Sequence, residues 1–209
     1  MKNIVNTPFK KNRFQREISL FKKQGAMLRT SEILRVGIHP ASLYSMRDAG
    51  ILDQISRGVF RLTDSSPLGY PDLVIVATRV KRGVICLLSA LAFHDLTTHI
   101  PHEVHVALPR GAEEPRVSYP PLQTYRFSGR SFSDGVEIHD IDGIPAKVYS
   151  PEKTLADCFK FRNKIGLDTA LEALHLYRKR RRIKVDDIMR FASICRVTNI
   201  IRPYLEAIL

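Results

Sequence analysis

Cysteine is scarce in this chain: Cys86, Cys158 and Cys195 are the three among 209 residues, and none stands in a CxxC spacing. An odd count without ligand spacing argues against a disulfide framework or a zinc ribbon. It fits small core residues of a reduced, cytoplasmic protein. Long apolar runs are missing too. The longest, Gly83–Phe93, is too short to span a bilayer and is broken by Ser89. The N-terminus carries charge but no apolar signal-peptide core. There is no glycine-rich phosphate loop and no nucleophile elbow. No Asp or Glu is followed two positions later by Lys, so the acid-x-Lys pattern common in nucleases is also absent. Neither catalysis nor a cofactor is expected. Acidic residues are in deficit, 21 against 33 Lys and Arg, for a formal net charge of +12 and a pI near 9.9. That excess favours a polyanionic partner, and nucleic acid before membrane.

What is present is organised around Leu28–Leu62. Thr30 is the expected N-cap of a short helix, with Glu32 in its first turn and Ile33 and Leu34 turned inward. Gly37 ends that helix and Ile38 plugs the turn. Pro40 opens a second helix at its first position, where a missing N–H costs nothing, and Gly50 closes it. Leu52–Ile55 and Val59–Leu62 alternate as two short strands joined at Ser56-Arg57-Gly58. Helix, short turn, helix and hairpin on a basic chain is the order of a winged helix-turn-helix, which points to DNA.

Ahead of it, Met1–Pro8 reads as polar and without period. Lys10–Gln24 reads as a helix with Phe14, Ile18 and Phe21 along one face, Lys10, Lys11, Arg13, Arg16, Lys22 and Lys23 around it, and Gly25 as its cap. Ser65–Pro71 is a loop and the expected boundary between a DNA-binding domain, residues 1–66, and a C-terminal domain, residues 67–209. Beyond it, Asp72–Val80 reads as a helix with Leu73, Val76 and Val80 inward, its valines and isoleucine leaving strand as the alternative, and Ile85–Leu96 reads as a buried helix. Strands are expected at Glu103–Leu108, Leu122–Phe127, Gly135–Ile141 and Ile144–Tyr149, the last two joined by a hairpin at Asp142-Gly143. Ser150-Pro151-Glu152 starts a capped helix. Helices over Asp168–Arg180, Asp186–Cys195 and Asn199–Leu209 follow, and Pro203 should kink or restart the last. The expected fold class is α+β: an N-terminal winged helix-turn-helix, then a small, mostly antiparallel sheet with a helical bundle.

On the second helix of the motif, Leu43 and Met46 face the core. Ser42, Tyr44, Ser45 and Arg47 are then the candidates for base edges and phosphates, and Arg57 and Arg61 on the hairpin for backbone or minor groove. The densest charge run is Arg178, Lys179, Arg180, Arg181, Arg182 and Lys184, more cations than a helix terminus requires. It is a candidate patch for a polyanion or an acidic partner. His94, His99, His102 and His105 invite a metal hypothesis. His102 and His105, three apart on a strand, point to opposite faces, so no metal is expected.

Gly37-Ile38, Leu43-Tyr44, Ala49-Gly50 and Arg57–Arg61 resemble the N-terminal winged domain of AbiEi-type antitoxins, from the abortive-infection AbiE systems of bacteria. The resemblance continues through Cys86–His94. It is most specific at Thr154–Lys160 and Arg162–Asp168, and it reaches Ala170–Leu174. One departure is His39, where the recognition helix often begins on a stronger capping residue. The resemblance implies a type IV toxin-antitoxin role in phage defence. The winged domain would repress the protein's own promoter, at inverted repeats. The C-terminal part would oppose a cognate nucleotidyltransferase-like toxin, acting functionally and without a stable complex. The alternative reading is a stand-alone winged-helix regulator with a ligand-sensing C-terminal domain, and a nuclease fused to a winged domain comes after it.

Overall fold

The computed structural model describes residues 13–24, 27–65, 67–180 and 182–208. The expectations placed on Met1–Pro8, on Lys10–Asn12 and on Gly25 and Arg181 lie outside the described residues. By its packing the chain forms two units: residues up to 78 with 140–144, and residues 79–139 with 145–209.

The first unit begins with α1 (Gln15–Lys23). Phe14 and Phe21 are buried, and Ile18 packs against the same core. Glu17 in its first turn and Lys22 and Lys23 in its last match the helix dipole. Next comes β1 (Met27–Arg29), a strand the sequence pattern did not announce. It pairs antiparallel with β3 (Val59–Leu62), Met27 opposite Arg61 and Arg29 opposite Val59. β2 (Leu52–Ser56) lies on the other side, giving the order β1-β3-β2.

Between β1 and β2 stand α2 (Thr30–Arg35) and α3 (Pro40–Asp48). Thr30 is the first helical residue, not the cap. The Arg29 N–H donates to the Glu32 carboxylate at 2.7 Å, and the Thr30 hydroxyl donates to the Gly58 carbonyl at 3.3 Å. Leu34 is also misassigned by pattern, being 45% exposed. A six-residue helix presents one short inward row, which Ile33 fills, and Leu34 is a third of a turn away from it. Gly37, at φ +85°, then reverses the chain. The Gly37 N–H reaches the Leu34 carbonyl and the Ile38 N–H the Ile33 carbonyl, so both orphaned carbonyls are satisfied as Ile38 enters the core. The same pair of bonds closes α3, from Gly50 to Arg47 and from Ile51 to Met46. At the start of α3, His39 does act as a cap: its Nδ1 accepts from the Ala41 N–H at 3.2 Å.

α4 (Pro71–Arg79) falls in the first unit except for Arg79. The tip at residues 140–144 groups there as well. The Asp142 carboxylate accepts from the Gly69 N–H at 3.1 Å and the Tyr70 N–H at 2.9 Å.

The second unit is built on a five-stranded sheet of order β6-β5-β4-β8-β7. Its strands are β4 (Val84–Ile85), β5 (Val104–Pro109), β6 (Leu122–Phe127), β7 (Val136–Ile141) and β8 (Ile144–Tyr149). The sheet is mixed, correcting the mostly antiparallel expectation. β5 and β6 run parallel with Val104 opposite Leu122, β4 and β8 run parallel at Ile85 and Val148, and β4 and β5 run antiparallel. The proline-rich segment Pro109–Pro121 is long enough to carry the chain back to the start of β5, which a tight turn could not do.

The helix expected at Ile85–Leu96 is also corrected. The apolar run divides into β4 and α5 (Leu87–Phe93), with Leu87 at φ +45° where strand becomes helix. β-branched Val84 and Ile85 favour the pleat, and Leu, Ala and Phe favour the helix, so one apolar run serves two elements.

α6 (Arg130–Ser133) and α8 (Arg162–Ile165) are single turns. α7 (Pro151–Lys160) is the central helix: every residue from Pro151 to Phe159 is buried. Ser150 caps it, its Oγ accepting from the Lys153 N–H at 3.3 Å. Gly135 faces it at φ +76°, and a Cβ there would stand 2.7 Å from that of Lys153, so only glycine permits the approach. α9 (Leu167–Arg180), α10 (Val185–Cys195) and α11 (Thr198–Ile208) complete the bundle. α11 continues through Pro203 without a restart. Tyr149, Leu155, Phe159, Tyr177 and Phe191 belong to one continuous core with these helices.

Candidate nucleic-acid interface

α3 is two-sided. Leu43 and Met46 are fully buried, while Tyr44, Ser45 and Asp48 are exposed and Ser42 and Arg47 are partly so. Tyr44 rests edge-on against Phe60, 6.3 Å between ring centres, and is 46% exposed. The Arg47 guanidinium lies 5.0 Å over the Tyr44 ring and donates to the Asp48 carboxylate at 2.8 and 2.9 Å. Asp48 and the Tyr44 ring together hold the guanidinium in place. Tyr44, Ser45 and Arg47 therefore stand on one polar face, backed by two residues that cannot turn away from the core.

Arg57 is exposed at the β2–β3 turn. Gly58, at φ +79°, allows that tight turn, and its carbonyl accepts from the Thr30 N–H at 2.8 Å, tying the hairpin to the start of α2. Arg61 is differently placed. Its Nε donates to Ser65 Oγ at 2.5 Å and its Nη2 to the Ser65 carbonyl at 2.8 Å, so it holds the exit of β3. Arg35, exposed in the last turn of α2, was not singled out by sequence. A basic residue there reads as a helix end favoured by the dipole, which hid its position one turn of chain before α3.

In the second unit, α9 ends within the basic run. Arg178, Lys179 and Arg182 are exposed, and among the described residues none of the three has an ion-pair partner. Arg181 and the side chain of Arg180 are outside the described residues. Lys184 stands apart: its Nζ is 3.7 Å from Glu152 Oε1, which also accepts from the Tyr177 hydroxyl at 2.7 Å.

Sequence reasoning passed over a buried polar group on α7. Lys153 and Asp157, one turn apart and wholly buried, form an ion pair. The Lys153 ammonium lies 4.2 Å from the Tyr149 ring centre and 4.9 Å from that of Phe127, and the Cys195 thiol donates to Asp157 Oδ1 at 3.2 Å. Burial pushes the Asp157 carboxyl upward against the opposing pull of Lys153, and burial pushes the Cys195 thiol up to about 12. A thiol so protonated is not a nucleophile at neutral pH. The spacing of Lys153 and Asp157 was the available signal, but a pair of that spacing is usually a surface pair.

Of the four histidines weighed for a metal, only His94 joins a possible ligand set among the described residues, with Glu137 and His139, their ligand atoms within 4.8 Å of one another. His139 Nε2 already lies 2.9 Å from Glu137 Oε2, and His94 Nε2 2.7 Å from the Tyr149 carbonyl. Among the described residues no helix is long and apolar enough to cross a membrane.

Residues 15–63 match the family model described as "Transcriptional regulator, AbiEi antitoxin". No curated protein matches the chain. Among solved structures, the crystal structure of the RV2827C protein from Mycobacterium tuberculosis is similar, with a TM-score of 0.53 at 12% sequence identity, covering 91% of this chain and 77% of that one. At that identity the likeness concerns the fold alone. The family match spans α1, the two helices α2 and α3, and the hairpin that carries Arg57. Over residues 15–63, the stretch that holds α1 to the hairpin, this chain is similar to the AbiEi antitoxin family of transcriptional regulators.

Proposed function

We propose that this protein is a non-catalytic, DNA-binding antitoxin that represses its own promoter. Its first unit acts as a winged helix-turn-helix, with α3 as the recognition helix and the β2–β3 hairpin as the wing. The observation that carries this reading is the exposed polar face of α3, with Tyr44, Ser45 and Arg47 fixed over buried Leu43 and Met46. A helix of that polarity on a chain of net charge +12 suits the major groove, where side chains meet base edges. Ser42 lies beside that face, and Arg57 at the turn suits a phosphate or the minor groove. Arg61, tied to Ser65, would act by shaping the hairpin. The second unit opposes a cognate nucleotidyltransferase-like toxin, with Arg178–Lys184 as the patch that does so.

Co-expression with the product of the adjacent reading frame, scored by growth, tests the antitoxin role. Rescue from that product's toxicity is expected, and a neighbour that is harmless alone would favour a stand-alone regulator instead.

A further inference from the structure

The second unit contains a cavity of about 870 Å³ lined by Arg110, Ser128, Arg130, Ser131, Lys160, Ser193, Ile194, Cys195 and Arg196. Four segments meet there: the residue after β5, the link from β6 into α6, the end of α7 and the end of α10. Four of the lining residues are cations, three are serines, and none is acidic or aromatic. Among the described residues Arg110, Lys160 and Arg196 have no ion-pair partner, and Arg130 pairs with Asp134 at 3.0 Å. Ser131 donates its hydroxyl to the Ile194 carbonyl at 3.2 Å, whereas Ser128 and Ser193 have no side-chain hydrogen bond among the described residues. Arg196 holds its place at φ +61°, a conformation uncommon for a residue with a side chain.

Four cations with one ion-pair partner among them, Asp134 on Arg130, leave a surplus of positive charge, and folding alone gives no reason to gather it around one hollow. The volume lies within the roughly 300–1,000 Å³ usual for a small-molecule site. The lining, however, is charged where such sites are mostly apolar, so the ligand should be held through oxyanions and not through a hydrophobic body. Guanidinium groups fit phosphate oxygens in pairs, and hydroxyls add single donors. With no aromatic ring in the lining, there is no surface on which a base would stack. We propose that this cavity binds a small molecule bearing two or more phosphate groups, held by those phosphates. The site lies outside residues 15–63. Cys195 lines it on one side and hydrogen-bonds Asp157 of the buried ion pair on the other, so an occupant would lie next to the core of the unit.

Calorimetric titration of the full chain with inorganic tripolyphosphate tests the proposal, with orthophosphate at matched ionic strength as the comparison. One tripolyphosphate per chain is expected, bound more tightly than orthophosphate. Arg110→Ser and Arg196→Gly should each weaken it about tenfold, the loss of one charge-assisted contact. Arg196→Gly suits the positive φ, so thermal melting should show the fold intact. The double variant Lys179→Ser with Arg182→Ser, outside the cavity, should bind like the parent. Binding that does not saturate at one per chain would overturn the proposal, as would an equal loss in the Lys179/Arg182 variant. A third overturning result is a 5′-triphosphorylated RNA that binds where tripolyphosphate does not, since the site would then serve a nucleic-acid end.

Discussion

Arg57 and Arg61 are four residues apart on one hairpin and do different things. Arg57 is exposed at the turn, while the Arg61 guanidinium is occupied by Ser65. Arg57→Ala is therefore expected to weaken binding to all duplexes alike and to lower the salt slope by about 1, since one phosphate contact releases about one counterion. Titration of DNA binding at several salt concentrations reads this, and an unchanged slope would remove Arg57 from the interface. His105 offers a prediction of another kind. It is buried, stacks on Tyr125 with ring centres 5.4 Å apart, and its Nδ1 has no hydrogen-bond partner among the described residues. Burial lowers its pKa from 6.5 to about 4. The unfolded chain takes up this proton near pH 6.5 and the folded chain refuses it until about 4, so stability is full above that window and falls as pH drops through it. The loss amounts to about 3 kcal/mol by pH 4. Chemical denaturation between pH 7 and 4 measures it, and His105→Asn should flatten that part of the profile. At this scale the sequence was legible where one residue dictates geometry, as at Gly37, Gly58 and Ser150. It was not legible for Leu34, whose exposure depends on how short α2 is.

The elements divide in the same way. α3, the β2–β3 hairpin, β6, β8 and α7 carry clear signals, from capping residues, alternation and turn glycines. β1 and β4 are three and two residues long, too short for a period to show, and each exists because a neighbouring strand supplies its hydrogen bonds. The parallel pairing of β5 with β6 was hidden for another reason: alternation fixes which face a residue takes, not the direction of its neighbour. The candidate patch at the end of α9 was legible as charge but not as an arrangement. Lys184 lies beside Glu152, whereas Arg178, Lys179 and Arg182 have no ion-pair partner among the described residues. Changing those three together to Ser is expected to move the melting temperature by no more than about 5 °C, because each surface substitution usually costs under about 0.5 kcal/mol. Protection against the toxin should fall while promoter affinity is kept. Loss of both would make the run an auxiliary DNA contact, and loss of neither would return it to a solvated helix end.

On the scale of the whole molecule, the two units have separate cores. Phe14, Phe21, Leu43, Met46 and Phe60 belong to one, and Phe127, Tyr149, Phe159 and Tyr177 to the other. Because α4 up to Thr78 groups with the first unit, a fragment of residues 1–78 is the natural test of independence. It is expected to fold and bind promoter DNA but give no protection against the toxin. Its stability should be lower than in the full chain, since the hydrogen bonds from Gly69 and Tyr70 to Asp142 are lost. Protection by this fragment alone would overturn the division of labour. The central claim is that α3 and its hairpin read the protein's own promoter. Fluorescence anisotropy with a duplex from upstream of its gene, set against a shuffled duplex of equal length and composition, tests this most directly. Binding at least about a thousandfold tighter to the promoter duplex is predicted at physiological salt, the lower bound for specific over non-specific recognition. Tyr44→Ala with Ser45→Ala should erase that preference while leaving the salt-dependent binding common to both duplexes. Equal affinity of the parent protein for the two duplexes would contradict the claim.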